Sequence, residues 1–390
     1  MKRFLDFQFD REVRLLPLFL NRSLRNLAIS LLSLFSSIYV YKTLLSLTGR
    51  ENLALLGVFS FFLGFYVFKF LSILFAEELS LRLGLKKQIY LGLLFLILCL
   101  LILPLAQGWP LLLFLASSFW GLATGFYWFG WHGLMIKGGR REAFGKELGI
   151  AGVVSTTLLL GAPFLGGSLI TLFGYPALFA VSLFFALLSA LSLRSAKEER
   201  THRDTSLREV AGLFRTRKRV ALAYMGDSAA ATIYSLAIPL YLFLILGEEL
   251  SLGGFFSLSM ILVALINLMI GGWVDIRGKR VILAFGSIVS FLVWSGRALT
   301  RAIAPLLVLD VVDQATAGMT GIPLIVWTYE KALDGHSTGR AILFREVAIF
   351  GGAVLACLLL IILALLNLKL ECSFLVAAFF SLFPLLSLLR

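Results

Sequence analysis

Twelve long apolar runs, separated by short polar segments, constrain the fold of this chain more than any other feature. They lie at about residues 26–45, 53–75, 88–106, 110–136, 148–172 and 175–193, and then at 219–246, 251–274, 281–303, 305–330, 346–367 and 371–389. Each run can cross a bilayer as a helix, for which about 20 apolar residues suffice. None alternates apolar with polar residues, as the strands of a membrane barrel do. The sequence therefore predicts an all-α polytopic membrane protein with twelve transmembrane helices.

Composition excludes several other classes of protein. Of the 390 residues, 59% are hydrophobic and 15% are charged, whereas soluble domains carry about 25% charged residues. A soluble enzyme, a nucleic-acid binder and a disordered chain are thus excluded. The chain has no P-loop or Rossmann glycine pattern, which leaves nucleotide-driven pumping unsupported. Its histidines and cysteines are scattered without ligand spacing, so we expect no metal site, no cofactor and no catalytic residues.

Lysine and arginine residues indicate how the chain is oriented in the membrane. With twelve spans, 29 of the 35 basic residues fall in the two termini and in the loops on the side of the termini, and four fall in the opposite loops. Cytoplasmic loops carry such an excess of positive charge. We therefore expect a monomeric, multi-pass protein of the cytoplasmic membrane with both termini in the cytoplasm. The net charge of +13 then faces anionic lipid of the bilayer, not nucleic acid.

The sequence repeats itself at an offset of 199 residues. This offset aligns Arg141 with Arg340 and Glu147 with Glu346, within the segments RREAFGKELGIAG and GRAILFREVAIFG. Both segments lie between the fourth and fifth span of their half of the chain. An internal repeat of this kind indicates two copies of one structural unit. The twelve spans are therefore expected to form two six-helix bundles related by a pseudo-twofold axis.

The boundary between the two bundles follows from the longest polar stretch. We expect an N-terminal bundle at residues 1–193, a cytoplasmic linker at 194–218 and a C-terminal bundle at 219–390. Within the linker, residues 206–214 have an amphipathic pattern. This pattern favours either a solvated linker with a helical end or a short helix at the membrane interface.

A loop motif between spans eight and nine reads GGWVDIRGKR at residues 271–280. Gly278 permits a tight turn, Asp275 can cap the next helix, and Lys279 and Arg280 hold the loop in the cytoplasm. With this motif, the topology and the repeat, the chain resembles the major facilitator superfamily of secondary transporters. The resemblance covers nearly the whole chain and says little about the substrate.

The resemblance implies transport by alternating access, in which two bundles rock about a cavity near the bilayer midplane. Spans one, four, seven and ten would line that cavity. The resemblance also implies a cytoplasmic gate of charges that pair in one state and separate in the other. These charges match the gate positions of the family: Asp275, Arg141, Glu147, Arg340 and Glu346. The alternative is that they only cap helices and determine topology.

Ionisable side chains inside spans nine and ten form the clearest candidate site. The two spans make a helical hairpin that turns near residues 303–304, which places Arg297 beside Asp310, with Asp313 one helical turn deeper on the same face. A charge in a span costs several kcal/mol unless it has a partner. We expect an ion pair between Arg297 and Asp310, and we expect Asp313 to remain free and to face the cavity.

Three further ionisable residues lie in spans. Asp227, among small residues of span seven, is the first candidate for binding a proton or cation, or else a hydrogen-bonded carboxylate near the cytoplasmic mouth. His132, near the inner end of span four, suits a proton relay, although a lone histidine at a helix end is more often only interfacial. Lys69 in span two has no obvious partner in the sequence.

The leading functional hypothesis is a secondary transporter for a small organic solute, with protons as the candidate coupling ion. Span five carries Ala162-Pro163 among glycines, which partly resembles the glycine-proline motif of antiporters and favours efflux. Against the standard drug/proton exchange scheme, residues 111–129 of span four contain no arginine. The alternatives are a non-transporting membrane receptor and a lipid or lysolipid flippase built on the same fold.

Overall fold

The structure, a computed structural model, describes residues 16–138, 159–200, 207–270, 279–333 and 338–388. Every regular element in these residues is helical. We number the long apolar helices in chain order. The first half of the chain contains α1 (Leu16–Thr48), α2 (Glu51–Leu83), α3 (Leu85–Ile102), α4 (Leu111–Gly138), α5 (Ala162–Phe173) and α6 (Tyr175–Ser192). The second half contains α7 (Lys218–Leu246), α8 (Glu249–Ile270), α9 (Lys279–Leu299), α10 (Ile303–Leu333), α11 (Thr338–Leu365) and α12 (Cys372–Ser381).

These helices agree with the predicted spans in number and order. Among the described residues, ten helices are long and apolar enough to cross a bilayer, and α5 and α12 supply two shorter apolar helices. The start of α1 differs from the prediction: α1 is helical from the first described residue, Leu16, ten residues before the predicted start at residue 26. Hydropathy places a boundary at the first charge, whereas the backbone continues as a helix through Arg22 and Arg25.

The repeat is visible in how the helices pack. In the first half α1 packs against α5 and α6, and α4 packs against α2 and α3; in the second half α7 packs against α11 and α12, and α10 against α8 and α9. Between the halves, α2 packs on α11, α5 packs on α8, and α1 packs on α7. Exchanging the halves converts the α2–α11 contact into the α8–α5 contact, as a pseudo-twofold axis requires. The fold is the predicted one.

The linker contains a short helix at Leu207–Thr216. Its Val210 is buried, and the rings of Phe214 and Phe344 lie 4.7 Å apart. The segment is therefore helical over these residues, and the helix packs against α11.

We call the end of the molecule at which Leu83, Lys218 and Lys279 lie the basic end, and the other end the opposite end. At the basic end the backbone N–H of Lys86 donates to Glu198, and the Lys86 ammonium donates to the carbonyls of Arg194 and Ala196. These bonds join the start of α3 to the segment that follows α6.

Candidate functional site

A buried ion-pair cluster lies where α9 and α10 face each other. The Arg297 guanidinium has one nitrogen 3.2 Å from Asp310 and another 2.7 Å from Asp313, and its side chain is 1% exposed. The predicted pair between Arg297 and Asp310 is confirmed. The expectation that Asp313 is free is wrong, because the planar guanidinium has five N–H donors and serves both carboxylates at once.

Asp310 also accepts hydrogen bonds from two neighbouring helices and from its own helix. The hydroxyl of Tyr234 on α7 donates at 2.9 Å, that of Ser259 on α8 at 2.5 Å, and the amide of Gln314 on α10 at 2.6 Å. With Arg297 this makes four donors on one carboxylate. The site therefore joins four helices of the second half around Asp310.

Asp313 differs from Asp310 in its surroundings. Among the described contacts its carboxylate has Arg297 as its only donor, and its side chain is 15% exposed against 2% for Asp310. The rings of Trp294 and Tyr234 cover the guanidinium at 4.6 and 5.3 Å from their centroids. Asp313 is thus the more exposed carboxylate of the pair and the one with fewer donors.

Asp227 lies apart from this cluster. It is partly buried on α7, and the Thr320 hydroxyl of α10 and the Arg345 guanidinium of α11 lie near enough to interact with its carboxylate. The structure therefore does not bring the two candidate coupling carboxylates, Asp227 and Asp313, into contact. No group of three potential metal ligands is found among the described residues.

Toward the basic end, the first half of the chain is rich in arginine and aromatic rings. Arg25 of α1 is 3% exposed, and its guanidinium carbon lies 3.9 Å from the ring centroid of Tyr127 and 5.5 Å from that of Trp128. The guanidinium carbon of Arg22 lies 4.6 Å from the Trp131 ring and 5.6 Å from the Trp128 ring. Neither arginine was among the candidates from the sequence, because the predicted span one begins after them, at residue 26.

His132 completes this group on α4. Its ring stacks on Trp128 at a centroid distance of 5.4 Å and an interplanar angle of 26°. The histidine is within electrostatic range of Arg22 on α1 and of Arg345 and Glu346 on α11. It therefore faces the second half of the chain, and is not a side chain confined to one bundle.

Lys69 and Glu346 connect the two halves. The Lys69 ammonium on α2 lies 3.7 Å from the Glu346 carboxylate on α11, and Arg345 lies 3.6 Å from the other oxygen of that carboxylate. Beside them the rings of Phe70 and Phe350 stack at 4.1 Å. Lys69 thus has a partner, which sequence reasoning could not find because the partner belongs to the other half.

Most of the predicted gate falls outside what the structure describes. Asp275, Gly278, Arg141 and Glu147 lie outside the described residues, and the side chains of Lys279 and Arg340 are likewise not described. Arg280 is exposed at the start of α9. Of the predicted gate charges, Glu346 is the one whose ion pairs the structure describes, and its pair with Lys69 crosses between the halves.

At the opposite end the halves are joined by a second ion pair. The Lys42 ammonium of α1 lies 2.5 Å from Glu249 at the start of α8, and the Tyr175 hydroxyl of α6 donates to the same carboxylate at 3.0 Å. Asn52 and Asn367 are also hydrogen-bonded across the halves. Neither contact was foreseen from the sequence, since each joins residues of different halves.

Glycines allow α5 and α8 to approach closely at this end. A Cβ atom added to Gly253 would overlap the carbonyl oxygen of Pro163, and one added to Gly167 would lie 2.5 Å from the carbonyl oxygen of Glu249. The backbone N–H of Phe164 donates to the Ser257 hydroxyl at 3.0 Å. The glycine-proline segment of α5 therefore forms part of the contact between the halves.

Comparisons with known proteins identify a family match and solved structures with a similar fold. The family model described as Major Facilitator Superfamily matches residues 18–356. No curated protein matches the chain. Among solved structures, an autoinhibited peptide transporter of the POT family has a TM-score of 0.75 at 11% identity, with 96% of this chain and 95% of that chain covered.

Two further solved structures share the fold. A D-xylose–proton symporter has a TM-score of 0.69 at 11% identity, covering 94% of this chain and 96% of that one. The human organic anion transporter MFSD10 (TETRAN) has a TM-score of 0.66 at 15% identity, covering 96% and 98%. At these identities the likeness shows the fold alone. The family match extends over most of the sequence, and the chain belongs to the major facilitator superfamily.

Proposed function

We propose that this secondary transporter couples the movement of a small organic solute to protons, and that the Arg297–Asp310–Asp313 cluster carries the proton. The proposal places the protein in the cytoplasmic membrane with its basic end in the cytoplasm, as the positive-inside rule favours. One observation carries it: a single guanidinium is shared by two carboxylates in a buried site.

Charge balance assigns different roles to the two carboxylates. If both are ionised, the cluster has one positive and two negative charges, and a buried excess charge is costly unless a proton or another cation neutralises it. Asp310, with four donors, remains the ionised partner of Arg297. Asp313 is the more exposed of the two and has fewer donors, so it takes up and releases the proton.

Two ion pairs between the halves link this proton to alternating access. Lys69–Glu346 lies toward the basic end, and Lys42–Glu249 lies at the opposite end. Rocking of the bundles separates one pair while the other persists, so each pair favours a different state. Arg297 and Asp313 are in the half that moves relative to Lys69 and Lys42, so a change of protonation can bias that movement.

For the direction of transport we propose export. The support is the Ala162-Pro163 segment of α5, which partly resembles the antiporter motif and which the structure places against α8. In an antiporter of this kind, proton entry drives solute exit through one cavity that opens alternately to the two sides.

A substrate-independent experiment tests the proton site. Infrared difference spectra of the purified protein in lipid, recorded on a step from acidic to alkaline pH, should show loss of the carbonyl band of a protonated carboxylic acid. Asp313→Asn should remove that band. The matched control Glu371→Gln, which alters a carboxylate paired with Arg301 at the opposite end, should retain it. An unchanged band in Asp313→Asn would show that the proton is held elsewhere, with Asp227 the next residue to test.

A further inference from the structure

Arg25 is a buried cation whose counter-charge is missing from the described part of the structure. Its side chain is 3% exposed, and the described contacts of the guanidinium are with aromatic rings, not with a carboxylate. Cation–π contact offsets a part of the free-energy cost of desolvating an arginine. A buried charge in a membrane-spanning bundle nevertheless calls for an opposite charge.

Two of the rings that contact Arg25 and Arg22, those of Tyr127 and Trp131, are held by hydrogen bonds to other residues. The Tyr127 hydroxyl donates to the Asn21 side chain at 2.8 Å, and the Asn21 amide donates to Ser189 of α6 at 2.8 Å. The Trp131 indole N–H donates to the carbonyl of Leu18 at 3.3 Å. Rigid groups lose less freedom on binding, so this frame is preorganised.

Arg22 supplies a second, independent sign of a missing ligand. Its Nε is buried and has no hydrogen-bond partner in the described structure. A buried donor without a hydrogen-bond partner destabilises the protein by the full free energy of its desolvation. Arg22 and Arg25 are one helical turn apart, and both lie over the Trp128 ring. Two guanidinium groups therefore converge on one face of α4.

The charges described around this group do not neutralise it. Among the described residues near it, the carboxylates of Asp227 and Glu346 are matched by the cations Lys69 and Arg345, so the charges of Arg22 and Arg25 remain in excess. An excess of positive charge beside aromatic rings attracts anions. Trp128, His132 and Arg22 are all partly exposed.

We propose that the arginine–aromatic cluster, formed by Arg22, Arg25, Tyr127, Trp128, Trp131 and His132, is the substrate site, and that the substrate is an organic anion with a planar apolar body. Arg25 and Arg22 would bind its carboxylate or sulfonate group, because guanidinium donors match these oxyanions. The exposed face of Trp128 would stack on its body. This inference deepens the proposed transport function and rests on it for the role of the site, but not for the binding itself.

The test uses four probes of one shape and different charge. Calorimetric titration of the protein in lipid nanodiscs with 2-naphthoate, 2-naphthalenesulfonate, 2-naphthamide and 2-naphthylmethylammonium compares two anions with a neutral and a cationic analogue. We expect the anions to bind at least tenfold more tightly than the other two. Arg25→Gln and Arg22→Gln should each weaken anion binding at least tenfold. Arg82→Gln, which changes an exposed arginine paired with Glu78 on α2, should leave it unchanged.

Stability of the ligand-free protein separates a binding arginine from a structural one. If Arg25 has no carboxylate partner in the ligand-free protein, Arg25→Gln removes an uncompensated buried charge. The melting temperature should then stay the same or rise, while anion binding is lost. A clear fall in melting temperature would show that Arg25 has a carboxylate partner of its own, and would overturn the proposal. Equal binding of the amide or ammonium probe, or no binding of either anion, would also overturn it. None of these results would affect the infrared test of Asp313.

Discussion

Arg297→Gln should destabilise the second half of the chain more than any exposed substitution. The change removes two buried contacts to carboxylates, at 3.2 and 2.7 Å. A hydrogen bond to a charged group is worth about 1.5–3 kcal/mol, and removing one partner of a buried ion pair costs about 3–5 kcal/mol. Because Asp310 keeps the donors Tyr234, Ser259 and Gln314, we expect a loss near the lower end of the range, about 3 kcal/mol.

The two carboxylates should respond differently. Asp310→Asn replaces the charged acceptor of four donors, so we expect a loss of about 2 kcal/mol in the free energy of unfolding. Asp313→Asn leaves a balanced pair of Arg297 and Asp310 and removes the carboxylate that is 15% exposed, so we expect a change of less than about 1 kcal/mol. The double variant Arg297→Gln/Asp313→Asn should recover part of the loss caused by Arg297→Gln, since it restores the net charge of the cluster.

Equilibrium unfolding by sodium dodecyl sulfate in mixed micelles, followed by circular dichroism, gives these free energies. Arg301→Gln, at the exposed end of the hairpin, is the matched arginine control. The reasoning would be refuted if Arg297→Gln unfolded as the control does, or if Asp310→Asn and Asp313→Asn had equal effects. A double variant no more stable than Arg297→Gln would show that excess negative charge is not what destabilises the cluster.

Three other predictions concern contacts between the halves. Because Lys42 is 45% exposed, Glu249→Gln should reduce the stability of the state closed at the opposite end by about 1 kcal/mol or less. This corresponds to a population shift of up to about fivefold, which spin-label distances between α1 and α8 would detect. Gly253→Ala should push α5 away from α8 and destabilise the same state. At Gly254 an added Cβ meets no atom within 4 Å, so Gly254→Ala should stabilise α8 by about 0.5–1 kcal/mol. Measuring the unfolding free energies of both variants tests the difference. From the sequence motif, Asp275→Asn should shift the distance between labels at the cytoplasmic ends of spans five and eight toward its inward-facing value. An unchanged distribution would leave Asp275 as a helix cap.

The spans were predictable because a bilayer sets their length, but the start of α1 was not. Apolar runs mark where a helix is covered by lipid or by apolar neighbours. Arg25 ends the first apolar run on its N-terminal side, yet it lies in α1 and is buried, since the Tyr127 ring of α4 packs against its guanidinium. Hydropathy averages over neighbours in sequence and carries no information about a ring on another helix. The substrate site proposed above was for that reason invisible in the sequence.

Contacts within a hairpin were predictable, whereas contacts between bundles were not. Arg297 and Asp310 lie on consecutive helices, and equal depth around a short turn was enough to pair them. Asp313 was misjudged because residue counting yields depth but not the number of carboxylates that one guanidinium serves. Lys69 and Glu346 could be paired only after the two halves were docked, and their depths depend on the tilt of α2 and α11.

The charges of the two sites lead to a prediction that can refute export. The Arg297 cluster has two carboxylates to one guanidinium, and the arginine–aromatic cluster has positive charges in excess. In the proposed function the first cluster accepts a proton and the second binds a monovalent anion. In export by exchange, one proton enters as one anion leaves, and each turnover carries two positive charges inward. A potential of 100 mV, negative inside, is worth about 2.3 kcal/mol per charge, so it should strongly accelerate 2-naphthoate export from proteoliposomes at fixed pH difference. Potassium gradients with valinomycin impose the potential. A rate that ignores the potential would indicate electroneutral movement of proton and anion together, and export by exchange would then be wrong.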